Sequence, residues 1–257
     1  TPEVKRQINA FAIGVKEVNP KATVHVRWLN SWVAPTETQE VTESLLEEGI
    51  DGFAFSEESP TVLQTAQDHG AFGFGHYTPM YRYAEDATVS GQIANWGVLY
   101  ADILEKVYEG EYTADNLADV DYWWLLRENA ALLGAKRDMA INPKYVDELK
   151  STPVEVEGVG ETNVYELVMT RLGQMEADDV SFDPYIGPIE DRQGNLRLEK
   201  GEWITKEELW TMQWAYENVI GSWPDEPDTI PQLIDDFDEF QNRMNQLARD
   251  RVQEIRN

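Results

Sequence analysis

Glu57, Glu58 and His76 are the side chains of this sequence whose types could support proton transfer. Carboxylates and imidazoles are the usual general acids and bases of enzymes. Adjacent carboxylates that follow a predicted strand are more typical of a solvated turn, or of hydrogen bonds to a ligand. No nucleophile elbow, zinc-protease motif or P-loop accompanies them, and GFGHYT lacks the third glycine of a dinucleotide fingerprint. The inventory favours binding over catalysis, and an enzyme that uses these three residues is the alternative.

Two tryptophans four residues apart, Trp28 and Trp32, offer a different chemistry. Trp28 falls inside a predicted strand, so we expect it to pack in the core. Trp32 comes just after the end of that strand, between the polar pair Asn30-Ser31 and a loop. An indole in that position could stack on a flat ligand. Packing against the loop remains the alternative for Trp32.

The composition narrows the choice of partners. The chain of 257 residues has a formal net charge of −27 and no cysteine. Such a surface repels nucleic acid and anionic membranes, and the absence of cysteine rules out disulfides and thiolate metal sites. No apolar run is long enough to span a bilayer. We expect a small-molecule ligand, no cofactor and no metal.

The first hundred residues alternate strands with helices. Strands are predicted over 22–30, 50–56 and 71–75. Helices between them begin at a capping-box pattern of Thr36 and Gln39 and at the pair Ser59-Pro60. This order predicts an α/β fold whose parallel sheet is covered by helices on both faces, with the ligand at the carboxyl ends of the strands.

The remaining elements follow from periodicity and turn signals. A first helix begins at Thr1. In the middle of the chain we expect a short strand near residue 88, a helix over 95–108, a strand over 121–134, a loop over 151–162 and a helix over 163–175. The end of the chain is predicted to hold a hairpin over 186–205 that turns at 193–195, a helix over 206–221 and a charged amphipathic helix over 232–257.

Several stretches of the sequence resemble one known family. They are PEVKRQINAFAIGVKEVNPKATVHVRWLNSWVAPTETQEVTESLLEEGID, SPTVLQTAQDHGAFGFG, ANWGVLYADILEKVYEGEY and PYIGPIEDRQGNLRLEKGEWITKEELWTMQW. Their order and spacing are similar to the second half of the basic membrane protein family of substrate-binding lipoproteins. The resemblance implies a type I periplasmic-binding-protein fold, in which two α/β lobes close on a purine base or nucleoside that an ABC permease then receives.

The same resemblance implies the site. Trp32 takes the position of the aromatic that stacks on the base, and the segments 56–60, 75–78 and 95–96 take the positions of other cleft segments. The candidate ligand-binding residues are Asn30, Trp32, Ser56, Glu58, Ser59, His76, Tyr77, Asn95 and Trp96. Tyr77 stands where the family usually has an aspartate that bonds the ligand. We therefore expect a free base to bind more tightly than its nucleoside.

The resemblance also implies how the chain is organised. Residues 1–92 are expected to form the α/β core of the second lobe, 93–224 to return to the first lobe and close it, and 225–257 to form an acidic linker and a C-terminal helix. The first lobe is expected to be incomplete. The protein is expected to be extracytoplasmic and lipid-anchored through a segment outside this chain. A ligand-sensing domain that serves a signalling receptor is the alternative role.

The acidic surface leads to a prediction about salt. The acid is spread along the chain and lysine is scarce, which favours salt adaptation over ordinary surface acidity. Because screening lengths fall from about 10 Å at 0.1 M salt to about 3 Å at 1 M, self-repulsion should weaken strongly between those conditions. We expect the melting temperature, followed by circular dichroism, to rise steeply over this range. A flat profile would show that the acid is ordinary surface charge.

Overall fold

A computed structural model describes residues 1–177 and 180–224 of the chain. They form two compact units, the first made of Thr1–Ala94 with Ala131–Trp223 and the second made of Asn95–Ala130, with Pro224 as its other described residue. The predicted linker and helix over 225–257 lie outside the described residues. The assignment of 1–92 and 93–224 to two lobes stays a prediction.

The helices and strands are as follows. The helices are α1 Pro2–Val18, α2 Pro35–Glu47, α3 Thr61–Asp68, α4 Trp96–Glu109, α5 Pro143–Ser151, α6 Val164–Glu176 and α7 Lys206–Thr211. The strands are β1 Val24–His25, β2 Gly52–Ala54, β3 Phe72–Gly75, β4 Thr88–Ala94, β5 Ala131–Leu133, β6 Pro153–Val156, β7 Gly160–Asn163, β8 Ile189–Glu190, β9 Leu196–Leu198 and β10 Val219–Ile220.

The first unit is built on a four-stranded sheet with the order β2-β3-β4-β5. β2 pairs with β3 and β3 with β4 in parallel, while β5 is antiparallel to β4. β1 pairs in parallel with β10 in a separate two-stranded sheet, and β6/β7 and β8/β9 are antiparallel hairpins. The predicted α/β class, with a mainly parallel sheet flanked by helices, is confirmed.

Helices cover both faces of this sheet, and the alternation of glycine with phenylalanine in β3 determines how each face is packed. The ideal Cβ position of Gly73 lies only 2.8 Å from the side chain of Leu63, so α3 approaches the sheet closely on that face. On the other face Phe74 meets Phe11 of α1 edge to face, with ring centroids 5.8 Å apart. Phe72 lies against Tyr145 of α5. Period-2 alternation in a strand places these two residue types on opposite faces.

Two predicted strands are shorter in the structure. The predicted strand over 22–30 is reduced to β1, because its partner β10 offers only two residues. The predicted strand over 121–134 is reduced to β5. Its earlier part closes a turn in which the amide of Ala130 donates to the carbonyl of Leu125, and Asn129 adopts a left-handed conformation with φ 58°.

The predicted loop over 151–162 is also wrong. It contains the end of α5 and the hairpin of β6 and β7. Gly158 and Gly160 both have positive φ, at 79° and 86°, which glycine adopts at little cost. The composition of Gly, Pro and Glu that indicated a loop instead supplies the turn of a hairpin.

Two helix boundaries differ from their predictions. α2 begins at Pro35, with Ala34 as its N-cap, so the predicted Thr36 cap is wrong. Proline is well suited to the first helical position. The predicted helix over 206–221 ends at Thr211, because the buried amide of Asn9 bonds the backbone of Trp214 and Tyr216 and holds that segment extended. α7 begins after Thr205, whose side chain accepts from the amide of Glu208 and caps the helix.

The close approach of β3 and β4 gives a prediction. A Cβ at Gly91 would lie 2.8 Å from the backbone of Gly75, whereas a Cβ at Gly14 of α1 meets nothing within 4 Å. Gly91→Ala should therefore destabilise the fold by about 1–3 kcal/mol through overpacking. Gly14→Ala, the matched control, should stabilise it by about 0.5–1 kcal/mol. Urea unfolding of both variants measures the difference, and equal midpoints would contradict the packing of β3 against β4.

Candidate functional site

Three loops of the first unit follow the carboxyl ends of β1, β2 and β3. We call residues 30–34, 56–60 and 76–78 the strand-end loops. β2 and β3 are adjacent and parallel, so their carboxyl ends share one edge of the sheet. The amide of Glu58 donates to the carbonyl of Trp32 at 2.8 Å, which brings the loop after β1 to the loop after β2. The three loops are therefore the natural place for a ligand in this fold.

The two tryptophans after β1 have different environments. Trp28 packs edge to face against Trp223, with ring centroids 5.5 Å apart, and its indole nitrogen donates to the carbonyl of Ser222. Trp32 is 49% exposed, and its neighbour Val33 is 60% exposed. Trp28 is a packing residue, as predicted. Trp32 presents an open aromatic surface, and Val33 adds apolar surface that the sequence did not indicate.

Two candidate residues hold the backbone in the left-handed region. Asn30 has φ 54° and Tyr77 has φ 55°. Asparagine tolerates this conformation, but it is rare for a bulky aromatic residue. The carbonyl of Tyr77 accepts from the amide of Ala94 at 2.9 Å, which anchors the turn to the end of β4. Strained backbone of this kind is concentrated at functional sites.

The side chain of Tyr77 organises a polar network at the end of the sheet. Its hydroxyl donates to the carboxylate of Glu3 and accepts from the side-chain amide of Gln7 at 3.0 Å. The carbonyl oxygen of that amide accepts from the hydroxyl of Ser56 at 3.2 Å. The network joins two candidate residues, Ser56 and Tyr77, through two residues of α1. Glu3 and Gln7 were not predicted, and only their i, i+4 spacing on α1 could have indicated a shared face.

His76 is buried beside this network. Its ring stacks on that of Tyr77, with centroids 3.9 Å apart, and its Nδ1 lies 2.8 Å from the side-chain nitrogen of Gln92. In a neutral ring Nδ1 accepts that hydrogen bond. Burial lowers the pKa of His76 to about 4, although the nearby carboxylate of Glu3 opposes the shift. The imidazole is therefore neutral at physiological pH.

The phenol of Tyr77 is shifted in the opposite direction. Burial, followed by the hydrogen bond to Glu3, raises the pKa of Tyr77 to about 12, while the hydrogen bond from Gln7 opposes the shift. The hydroxyl stays protonated and keeps donating to Glu3 at neutral pH. The stacked pair of His76 and Tyr77 therefore carries no charge.

The remaining candidates of the loop after β2 have different surroundings. Glu58 is exposed, so its carboxylate is open to solvent. The hydroxyl of Ser59 donates to the carboxylate of Glu57 at 2.6 Å. Glu57 itself is buried and bonded to the backbone of two loops. This carboxylate organises loops, which does not suit it to proton transfer with a substrate.

Asn95 and Trp96 belong to the second unit. Asn95 is the N-cap of α4, and its side-chain amide donates to the carbonyl of Asn129 at 2.9 Å. Trp96 is 54% exposed and begins a series of exposed apolar side chains along α4 that continues with Tyr100, Leu104, Val107 and Tyr108. The predicted helix over 95–108 is confirmed as α4.

Neither a metal centre nor a membrane span is found within the described ranges. In residues 1–177 and 180–224 no group of three or more His, Asp or Glu side chains is arranged to hold a metal ion. The helices in those ranges are too short or too polar to cross a bilayer.

The buried imidazole gives a prediction about pH. Between pH 6.5 and 4 the unfolded chain binds a proton at residue 76 that the folded chain does not. Its contribution to stability is therefore complete above pH 6.5 and is lost progressively as the pH falls toward 4. We expect the urea midpoint of the wild type to fall between pH 7 and pH 5, and His76→Gln to show a smaller fall. The same decline in both proteins would contradict the neutral, buried imidazole.

Comparison with known proteins identifies several similar chains. The chain is 26% identical to a purine-binding protein of Brucella abortus over an alignment of 223 residues. This alignment covers 87% of this chain and 56% of that protein. It is also 38% identical to a Haloferax volcanii protein provisionally named ABC transporter glucose-binding protein TsgA13, over an alignment of 114 residues. This alignment covers 44% of this chain and 29% of that protein. The chain thus spans about half, or less, of the length of these curated relatives.

Among solved structures, a transcriptional activator of the comK gene from Bacillus halodurans superposes with a TM-score of 0.49 and 17% identity, over 65% of this chain and 51% of that one. The family model of PnrA-like ABC transporter substrate-binding proteins, Bmp, matches residues 1–129, half of the chain. The chain therefore belongs to the Bmp family of ABC transporter substrate-binding proteins.

Proposed function

We propose that the strand-end loops bind a flat, neutral heterocycle, a purine base or nucleoside, for uptake by an ABC permease. The protein acts outside the cytoplasm, where lobe closure around the ligand creates the surface that the permease recognises. The observation that carries the proposal is the open indole of Trp32, 49% exposed on a loop bonded to the loop after β2. Membership of the Bmp family supports the transport role.

The polar groups near Trp32 suit the edge of a purine. The loop after β2 offers the exposed carboxylate of Glu58, which accepts hydrogen bonds. Further along the sheet edge, the network of Glu3, Gln7 and Ser56 supplies both acceptors and donors. Ring nitrogens and exocyclic amines of purines need this mixture, and a few polar groups around an aromatic face are typical of small-molecule sites.

A sugar is the second candidate ligand. The name of the Haloferax volcanii relative assigns glucose to that protein, whereas the name of the Brucella abortus relative assigns purine. A hexose can also stack its apolar face on an indole, so Trp32 alone does not separate the two classes. The partly exposed ring of Tyr77, stacked on the buried and uncharged His76, favours the flat heterocycle because it adds an aromatic side chain at the strand ends.

The function is tested by calorimetric titration of the complete protein at high salt. Adenine, guanine, adenosine, guanosine and glucose are compared side by side. Trp32→Ala should weaken binding of a purine by about one to two orders of magnitude, because stacking on one base is worth roughly 1–3 kcal/mol. Trp28→Phe is the control, since Trp28 packs against Trp223 and should leave the affinity unchanged.

Each arm of this titration has a distinct meaning. Binding of glucose without binding of purines would show that the ligand is a sugar and not a flat heterocycle. Unchanged purine affinity in Trp32→Ala would show that Trp32 does not contact the ligand. Tighter binding of adenosine than of adenine would contradict the expectation, based on Tyr77, that the free base is preferred.

A further inference from the structure

The loop that carries Trp32 has an exposed side chain on a firmly held backbone. The carbonyl of Trp32 accepts from the amide of Glu58 at 2.8 Å. One residue earlier, the hydroxyl of Ser31 lies 3.1 Å from the carbonyl oxygen of Val33 and 3.3 Å from its amide nitrogen. The backbone of residues 31–34 is therefore fixed at several points while the indole stays 49% exposed.

One buried carboxylate provides the central attachment of this loop. Glu57 is only 4% exposed. Its Oε1 accepts from the amide of Ala34 at 3.2 Å, and its Oε2 accepts from the amide and hydroxyl of Ser59 at 3.0 Å and 2.6 Å. A single side chain thus joins the loop after β1 to the loop after β2.

The position of this carboxylate relative to the helices explains why a charge is accommodated there. Ala34 caps α2, and Ser59 lies two residues before the start of α3. The amino ends of helices carry partial positive charge and unpaired amides, both of which stabilise a carboxylate. Glu57 therefore binds the N-cap residue of α2 and the residue just before the N-cap of α3, and it fixes the loop between β1 and α2.

We infer that Glu57 is a positioning residue, which holds Trp32 in its stacking orientation before the ligand arrives. This inference rests on the proposed function, because it needs Trp32 to contact the ligand. A side chain fixed in its bound orientation loses less conformational freedom when the ligand binds, so the affinity is higher. Glu58 follows in sequence but is exposed, so its carboxylate cannot take this role.

The test is a double-mutant cycle on the affinity of the complete protein for adenine and guanine. Glu57→Gln keeps the shape of the side chain but replaces one acceptor by a donor, which faces amide donors. Glu57→Gln should lower the affinity for adenine and guanine about tenfold, and by no more than Trp32→Ala does. In the Trp32→Ala background it should have almost no further effect, because residues that act as a unit are not additive. Glu40→Gln, which removes one charge from the exposed face of α2, is the matched control and should leave affinity unchanged.

A second measurement needs no ligand. Fluorotryptophan is incorporated, and the fluorine resonance of Trp32 is assigned with Trp32→Phe. In Glu57→Gln this resonance should shift or broaden, whereas in Glu40→Gln it should stay as in the wild type. If Glu57→Gln does not fold, Glu57→Asp keeps the charge on a shorter side chain and is measured in the same way.

The outcomes separate the inference from the proposed function. An equal loss of affinity with and without Trp32 would overturn the positioning role, since a purely structural defect acts in both backgrounds. An unchanged Trp32 resonance in every Glu57 variant would overturn it as well. If neither purine binds the wild type but the resonance responds to Glu57, the proposed ligand is wrong and the attachment of the loop stands.

Discussion

The buried amide of Asn9 is the interaction on which the arrangement of the first unit depends. It is fully buried in α1, donates to the carbonyl of Trp214 at 2.8 Å and accepts from the amide of Tyr216 at 2.9 Å. These bonds join the first helix to a segment about two hundred residues later. They hold that segment extended, so that β10 can pair with β1, and they orient α1 so that Glu3 and Gln7 reach the strand ends. An amide buried there without partners would cost about 1–3 kcal/mol.

Local sequence patterns were sufficient for the central part of the fold. Alternating residues in β3 and the glycine after α3, Gly70 with φ 74°, are features of the chain itself. The local sequence patterns gave wrong predictions where contacts with residues distant in sequence determine the secondary structure. The helical periodicity after Thr205 carries no information about Asn9, which ends α7 from a distance. Likewise, the composition of residues 151–162 shows a turn but not the cross-strand pairing of β6 with β7 that makes it a hairpin.

The candidate site shows the same division. The positions of Ser56 and His76 after two adjacent parallel strands, and of Trp32 after another strand, could be predicted from the order of elements. The pairing of β1 with β10 in a separate sheet, and the hydrogen bond from Glu58 that brings the Trp32 loop to the loop after β2, could not. The roles of Glu3, Gln7 and Glu57 could not, because they arise from contacts between loops and a helix. The left-handed backbone of Tyr77 was equally hidden, since a bulky aromatic residue gives no signal for positive φ.

The uncharged ring pair of His76 and Tyr77 lies in a molecule with a net charge of −27. The negative field of such a surface extends beyond the strand-end loops and raises the free energy of any approaching anion. A nucleotide carries phosphate charges into that field, whereas a base or a nucleoside enters without electrostatic cost. For the proposed purine ligand, the surface would therefore act as a filter for ligand charge, separate from the groups proposed to recognise ligand shape. In concentrated salt the filter weakens, while contacts between neutral rings persist.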